Sequence, residues 1–371
     1  MPKFENVTRK VRLAIKELCV PVILFTSCVS YAEVEISPYI VNGSTSSVAT
    51  FPSIAHLFID SLEYDNVYYS QPYCGATILD EDHILTAAHC IYGDTVVQLF
   101  TTVVPQLFNV NDYPFGNIQR VRVSEIYYRN DFSNDLSDLL ANDIAILKLE
   151  SSLNIDTVND VIERPTSESY RSDNVNTTFT AVGHGNTSSG NDTSDVLRQV
   201  NLTPISNSSC AAMFIEGASL TNNQICFDGA YSSSTGLSGG TCQGDSGGPV
   251  YWYDGSQYVQ IGLTSFGPSQ CGYNGGVTSV FTEIYDYSAW VDSVLAGNET
   301  PKVTSTNSQR QSYLNSNGQI TYSGGGTISG NGSSSQSGGS VPFLSITLLL
   351  IAAATRKWAR SWRRVRTALS Y

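Results

Sequence analysis

The stretch Gly244–Pro249, which reads Gly-Asp-Ser-Gly-Gly-Pro, carries the most informative pattern in this chain of 371 residues. Glycines on both sides of Ser246 suit a serine hydroxyl that is exposed beside free backbone N–H groups. Such a hydroxyl is a weak nucleophile at neutral pH and needs a neighbouring base to accept its proton as it attacks. The stretch therefore predicts a nucleophilic serine, and a base must be sought elsewhere in the chain.

Two further stretches supply a base and a partner for it: Thr86–Cys90, which contains a histidine, and Asn142–Leu147, which contains an aspartate. An imidazole has an ordinary pKa of about 6.5 and can both accept and return a proton. A carboxylate can hold that imidazole in the required tautomer. Taken alone, either stretch would more often be structural, because single histidines and single aspartates before strands usually serve the fold.

Together, in the order His, Asp, Ser, the three stretches resemble those of the chymotrypsin-like (trypsin-fold) serine peptidases, and other serine hydrolases use other chain orders. The resemblance covers residues 40–296. It implies an all-β fold of two antiparallel six-stranded barrels with a C-terminal helix. It also implies an endopeptidase that acts on polypeptides through an acyl-enzyme, with His89 as base, Asp143 as its orienting partner and Ser246 as nucleophile. The backbone N–H groups of Gly244 and Ser246 would form the oxyanion hole.

The residue pattern agrees with an all-β architecture, because short β-branched and aromatic runs alternate with Gly, Asn, Asp and Ser clusters. Such runs alone predict a barrel or a sandwich. The best helix candidate is Tyr285–Leu295, whose apolar residues fall near one face. The predicted strands include Val96–Val104, Arg120–Tyr128, Ile144–Leu149, Thr178–Val182, Val259–Ser265 and Val277–Thr282.

The chain has eight cysteines, of which six lie within residues 40–296. An even set in an exported chain predicts disulfides, and zinc is the alternative, although no pair has Cys-x-x-Cys spacing. No metal and no cofactor are expected. The family resemblance implies the pairs Cys74–Cys90, Cys210–Cys226 and Cys242–Cys271.

The segment that begins Ile40-Val41-Asn42-Gly43 resembles the mature N-terminus of the same family. Cleavage before Ile40 would free an ammonium group that pairs with Asp245, because a buried carboxylate needs such a partner. The alternative is an ordinary strand here and a solvated Asp245. Tyr39 precedes the cut, so a chymotrypsin-like enzyme, including this one, could cleave there, whereas a trypsin-like activator could not.

By the same resemblance, Gly240 forms the floor of the primary specificity pocket, where trypsin-like members carry an aspartate. Its walls include Ser265, Gly267 and Gly276. An open, uncharged pocket favours a large apolar or aromatic side chain, whose burial contributes about 1.5–3 kcal/mol. We therefore expect cleavage after Tyr, Phe, Leu or Met.

Two alternatives stay open. Elastase-like or tryptic specificity is one, because Thr278 replaces a tyrosine common near the pocket floor and an aspartate from elsewhere could enter the pocket. The other is a catalytically silent member of the family that serves as a surface binding module.

The charge of the chain argues against nucleic acid as a partner. There are 33 acidic and 20 basic residues, for a net charge of −13, and eleven of the basic residues lie within the first 28 or the last 16 positions. The middle of the chain is therefore strongly acidic and would repel a phosphate backbone.

The segments that precede and follow residues 40–296 have the composition of targeting and linker sequences. Basic residues followed by the apolar run Leu18–Val29 predict a signal peptide over residues 1–32, with a short membrane anchor as the alternative. Residues 33–39 would be a short pro-segment. Residues 297–337, rich in Ser and Gly, predict a flexible stalk, because they contain few large apolar side chains.

Residues 338–371 combine Gly338-Gly339-Ser340, the apolar run Val341–Thr355 and an arginine cluster. This pattern resembles the Gly-Gly C-terminal sorting tag of Gram-negative bacteria. The resemblance implies export through the periplasm by the type II secretion machinery and removal of the tag by a rhomboid-type protease. The tag would tether the precursor to the membrane, and a permanent anchor is the alternative. We expect a monomer.

Overall fold

The computed structural model describes residues 40–172, 178–190, 194–322 and 328–329. The predicted signal peptide, pro-segment and sorting tag lie outside these residues. The strands, in chain order, are β1 (Ser44–Thr45), β2 (Ile54–Ile59), β3 (Tyr68–Tyr69), β4 (Cys74–Ile78), β5 (His83–Thr86), β6 (Thr101–Pro105), β7 (Val121–Tyr128), β8 (Ala145–Leu149), β9 (Phe179–Gly183), β10 (Arg198–Ile205), β11 (Gln224–Gly229), β12 (Tyr231–Ser232), β13 (Leu237–Ser238), β14 (Pro249–Tyr253), β15 (Tyr258–Phe266), β16 (Ser279–Glu283), β17 (Val303–Thr304) and β18 (Ile328–Ser329).

The α-helices are short and fewer than the strands. None of those in the described part of the chain combines the length and the apolar composition that crossing a bilayer requires. In chain order they are α1 (Leu62–Asp65), α2 (Thr95–Phe100), α3 (Ser169–Ser172), α4 (Asn207–Ala211), α5 (Ser288–Leu295) and α6 (Asn307–Asn317).

The strands form two closed antiparallel barrels of six strands each. In the first, neighbours follow the order β7-β6-β2-β4-β5-β8, and β8 pairs back onto β7. In the second, the order is β10-β11-β16-β15-β14-β9, and β9 pairs back onto β10. Closure leaves few unpaired strand edges and encloses a core in each barrel. The expectation of two six-stranded barrels is confirmed.

The C-terminal helix of the predicted fold joins the two barrels. A turn of 3₁₀ helix, Tyr285–Tyr287, leads into α5, so the predicted helix Tyr285–Leu295 exists with a tighter first turn. Val291 and Val294 of α5 are buried in one cluster with Leu85 of the first barrel and Leu263 of the second. Burial of this shared apolar surface stabilises the contact between the barrels.

The predicted strand Val96–Val104 is wrong over its first half. Residues 95–100 form α2, and only residues 101–105 are extended. The carboxylate of Asp94 accepts hydrogen bonds from the backbone N–H groups of Val96 (2.8 Å) and Val97 (3.1 Å). This cap satisfies two of the donors that a helix start leaves free, and it outweighs the strand preference of two valines.

The predicted flexible stalk is wrong for residues 298–322. Here β17 pairs with β7 of the first barrel, and α6 begins at a capping box formed by Thr306 and Gln309. Arg310 and Ile320 are fully buried. The segment has few apolar residues of its own. It needs no more, because it docks on a core that the first barrel already provides. The folded domain therefore extends beyond residue 296, with β17 and α6 packed against the first barrel.

Candidate active site

His89 lies on a short 3₁₀ helix, Ala88–Cys90, immediately after β5 of the first barrel. Ala87 and Ala88 are fully buried, and their small side chains allow this turn to pack closely against the barrel. The disulfide Cys74–Cys90 ties the turn to β4. The imidazole, only one-fifth exposed, is therefore carried by a firmly held segment.

Asp143 is fully buried just before β8, and its carboxylate accepts three hydrogen bonds. Oδ2 lies 2.7 Å from Nδ1 of His89, and Oδ1 accepts the backbone N–H of His89 at 2.8 Å. The hydroxyl of Ser265 donates to Oδ2 at 2.6 Å. Burial lowers the pKa of His89, but the charge of Asp143 and its hydrogen bond outweigh burial, so the net shift is upward. The pair thus favours an imidazole that can hold a proton.

Two contacts that the sequence reasoning missed fix the backbone around Asp143. Thr282 of the second barrel donates its hydroxyl to the carbonyl of Asp143 at 2.9 Å. The hydroxyl of Tyr287 donates to Oδ1 of Asn142 at 2.9 Å, and Asn142 has a positive φ of 61°. No local pattern marks Thr282 or Tyr287, because their role depends on how the second barrel meets the first. Ser265 was expected as a pocket wall and also supports the aspartate.

Ser246 lies on a tight turn before β14 of the second barrel and is partly buried. Gly244 and Gly247 have φ angles of 96° and 74°, which side chains other than glycine rarely adopt. A Cβ at Gly247 would also collide with the hydroxyl of Thr86, three residues before His89. The carbonyl of Ser246 accepts the N–H of Gly75 at 2.8 Å. These contacts place the serine turn against the strand ends that carry His89.

Asp245 points into the protein. Its carboxylate accepts the backbone N–H groups of Gly185 (2.8 Å) and Cys242 (2.9 Å). Burial raises its pKa to about 7, and these two hydrogen bonds lower it only in part. No basic side chain of the described residues forms an ion pair with it. Asp245 is thus a buried carboxylate with no cationic partner among the residues that the structure describes.

Ile40 is fully buried in the core of the second barrel. The next residue, Val41, pairs with Gly240, which directly precedes Thr241 and Cys242 in the segment leading to the serine turn. The start of the described chain therefore lies against the segment that positions Ser246.

The predicted pocket residues Gly240 and Gly267 both face Thr278. A Cβ at Gly240 would come within 2.8 Å of the Thr278 side chain, and a Cβ at Gly267 would lie 2.8 Å from its carbonyl oxygen. Gly276 has a φ of 94° and open space where a Cβ would be. Thr278 thus packs against the predicted floor, and no charged side chain occupies either glycine position.

The cysteines form the disulfides Cys74–Cys90, Cys210–Cys226 and Cys242–Cys271, the three pairs that the resemblance implies. Cys74, His89 and Cys90 offer three possible metal ligands within 4.8 Å, but both sulfurs are already bonded to each other. A thiolate is the form that binds metal, so this cluster is not a metal site.

His184, which directly follows β9, contacts another histidine. Its Nδ1 lies 2.7 Å from Nε2 of His56 in β2, and its Nε2 lies 3.1 Å from the carbonyl oxygen of Phe108. Both imidazoles are buried. Burial lowers the pKa of both, that of His184 to about 4. The pair joins the two barrels as neutral groups.

The protein-family model described as Trypsin matches residues 40–291. The chain belongs to the trypsin family. It is therefore a serine endopeptidase. Trypsin-1 of Astacus astacus is 32% identical over 262 residues, which cover 68% of this chain and 98% of that protein. Brachyurin of Leptuca pugilator is 30% identical over 255 residues, covering 68% and 97%.

Solved structures show the same fold. The secreted serine protease VesC from Vibrio cholerae aligns with a TM-score of 0.54 and 23% identity, covering 68% of this chain but only 48% of that protein. Neuropsin, a serine protease expressed in the limbic system of mouse brain, aligns with a TM-score of 0.54 and 22% identity, covering 69% and 99%. Identity at this level supports the fold alone.

Proposed function

We propose that the peptidase hydrolyses peptide bonds by attack of the Ser246 hydroxyl on the carbonyl carbon of its substrate. His89 takes the hydroxyl proton and then passes it to the leaving amine, and water releases the acyl group from Ser246 by the reverse sequence. The N–H groups of Gly244 and Ser246 stabilise the oxyanion. The observation that carries this proposal is the imidazole of His89, held 2.7 Å from the buried carboxylate of Asp143 on a turn that begins just after Thr86, against which the glycine-bounded serine turn packs.

The primary pocket is proposed to accept Tyr, Phe, Leu or Met. Gly240 and Gly267 carry no side chain that would fill it, and Gly240 carries no charge that would attract Lys or Arg. Thr278 beside the floor is small and uncharged, which supports the same preference. The relative named Trypsin-1 makes tryptic specificity the alternative to be tested.

The enzyme is proposed to be made as a zymogen that is cleaved between Tyr39 and Ile40. Asp245 is a buried carboxylate without a cation, and an ammonium at Ile40 would supply one. The family match also begins at residue 40. Because Tyr39 suits the proposed pocket, the enzyme could activate itself.

We further propose that the protein is exported and that residues 338–371 are a C-terminal sorting tag. The export partners are inferred from this tag. Three disulfides support folding in an oxidising compartment. The proposed partners are polypeptide substrates, the type II secretion machinery, a rhomboid-type sorting protease and the membrane that holds the tag.

A peptide series that varies only at the residue before the cut tests the catalytic and pocket proposals together. It is assayed with chain whose N-terminus is verified as Ile40, Ser246→Ala as blank and Ser233→Ala, at an exposed loop position, as matched control. Turnover after Tyr, Phe or Leu, lost only in Ser246→Ala, is expected. Turnover only after Arg or Lys would overturn the pocket assignment and keep the chemistry. No turnover would overturn the catalytic proposal and leave the binding-module alternative.

A further inference from the structure

Residues 298–322, here called the C-terminal strap, contact the first barrel at several points. Val303 pairs with Ile126 of β7, α6 follows, and Ile320 is buried in the core cluster that contains Ala87, Ala88 and the Cys74–Cys90 disulfide. The strap therefore contributes a side chain to the same core cluster that the histidine turn packs against.

Arg310 anchors the strap. Its side chain is fully buried, and Nε donates to the carbonyl of Leu99 at 2.5 Å, while Nη2 donates to the carbonyl of Val123 at 2.8 Å. Nη1 donates to Glu150 (2.6 Å) and to Asn307 (3.0 Å). A guanidinium is buried only where its donors are satisfied, so these contacts define one docked position.

Leu99 and Gln98 connect this anchor to His89. Both belong to the last turn of α2, where carbonyl groups lack partners within the helix. Arg310 donates a hydrogen bond to the carbonyl of Leu99. The hydroxyl of Ser305 donates one to the carbonyl of Gln98 at 2.6 Å. The side chain of Gln98 in turn donates to the carbonyl of Ile91 at 3.1 Å, two residues after His89.

The end of the strap contacts the segment that leads to Cys74, the disulfide partner of Cys90. The ring of Tyr322 lies 5.7 Å from that of Tyr69 and 5.8 Å from that of Tyr73 in edge-to-face contacts. Tyr73 directly precedes Cys74, which is bonded to Cys90 beside His89. The strap thus contacts both α2 and the segment before Cys74, and each of these is linked to the histidine turn.

We propose that the C-terminal strap is a positioning element for His89, with Arg310 and Ser305 as its positioning residues. The inference rests on the proposed function. The strands that close the first barrel do not include β17, so a loosened strap leaves the barrel intact and frees α2 and the histidine turn. Pocket residues Gly240 and Gly267 lie elsewhere, in the second barrel. A misplaced base slows the chemical step, and a displacement of about 1 Å can cost about 100-fold.

The test compares Arg310→Met and Ser305→Ala with the full-length chain cleaved at Ile40. The matched control is Arg164→Met, which removes a surface ion pair with Asp292 outside the strap. Circular dichroism and a cooperative urea transition establish the folded fraction of each variant independently of Ser246 reactivity, so kcat is expressed per folded enzyme. Arg310→Met is expected to lower kcat per site by about 10- to 100-fold at unchanged KM. Ser305→Ala should lower it severalfold, and Arg164→Met should leave it unchanged.

Arg310→Lys, which keeps a charge beside Glu150 but only part of the hydrogen bonding, is expected to fall between wild type and Arg310→Met. If Arg310→Met does not fold, Ser305→Ala and Tyr322→Ala carry the test, because each removes contacts of a side chain at the edge of the strap. Wild-type kcat per site in these variants, with only a lower melting temperature, would overturn the proposal. An inactive wild-type enzyme would instead overturn the proposed function.

Discussion

The buried carboxylate of Asp245 predicts that the uncleaved chain loses stability as the pH rises and that cleavage before Ile40 removes this loss. Burial raises the pKa of Asp245 to about 7 in the folded chain, against an ordinary value of 3.8. Because the folded-state pKa is the higher one, the stabilising contribution is fully present below pH 3.8. It is lost as the pH rises through about 7.

The size of the effect follows from the two pKa values. A difference of about three pKa units corresponds to about 4 kcal/mol of unfolding free energy once both states are ionised. About 2–3 kcal/mol of this loss falls between about pH 5 and about pH 8.5. An ammonium at Ile40 would pair with the carboxylate, favour its ionised form and so cancel the loss.

Urea unfolding of Ser246→Ala, which cannot digest itself, measures the effect in uncleaved chain and in chain cleaved at Ile40. The free energy of unfolding at about pH 5 and about pH 8.5 is compared between the two forms. The titrating side chains are common to both forms and cancel in the difference, whereas cleavage adds one group that titrates in this range, the α-amino group of Ile40, with an ordinary pKa of about 7.7–8.0. Uncleaved Asp245→Asn should lack the loss. An identical pH dependence in the cleaved and uncleaved chains would refute the reasoning.

Three further predictions concern the active site and the contact between the barrels. Asp143→Asn should lower kcat by roughly 10,000-fold, as loss of the orienting aspartate does in this chemistry; a change below about tenfold in a peptide assay would contradict its role. Gly267→Val should lower kcat/KM for a peptide cleaved after Phe far more than for one cleaved after Ala, because the new side chain occupies the pocket beside Thr278; equal losses on the two peptides would argue against Gly267 as a pocket wall. Since burial lowers the pKa of His56 and of His184, the latter to about 4, their contribution to stability is fully present above about pH 6.5 and is lost as the pH falls. The melting temperature of the wild-type chain should therefore fall more steeply toward pH 4 than that of the doubly substituted His56→Gln, His184→Gln chain. Parallel profiles of melting temperature against pH would exclude the pair as the cause.

The residues that sequence reasoning could single out are those for which the backbone accepts few alternatives. Gly247 has a positive φ and lies so close to Thr86 that no side chain fits. This requirement for glycine makes the serine stretch recognisable from the sequence. Asp143 likewise lies just before the predicted strand Ile144–Leu149, which the structure contains as β8.

Contacts made between the barrels could not be predicted in this way. The hydroxyl of Ser265 reaches Asp143 across 122 positions of the chain, and Thr282 reaches it across 139. The His56–His184 pair joins residues 128 apart. Each of these side chains is ordinary in its own stretch of sequence, so its role follows only from how the two barrels meet.

The C-terminal strap shows that a polar composition can wrongly predict a flexible segment when that segment packs on the core of a neighbouring fold. Few apolar residues lie between 298 and 322, and a segment that had to fold alone could not offset its conformational entropy. The first barrel is already folded, however, and offers apolar surface to Ile320 and unpaired carbonyls to Arg310. The local signal for order was therefore polar: Thr306 and Gln309 form a capping box, and one buried arginine satisfies carbonyls of two elements. A serine- and asparagine-rich segment can dock firmly when its few specific side chains match groups that a neighbouring fold leaves unsatisfied.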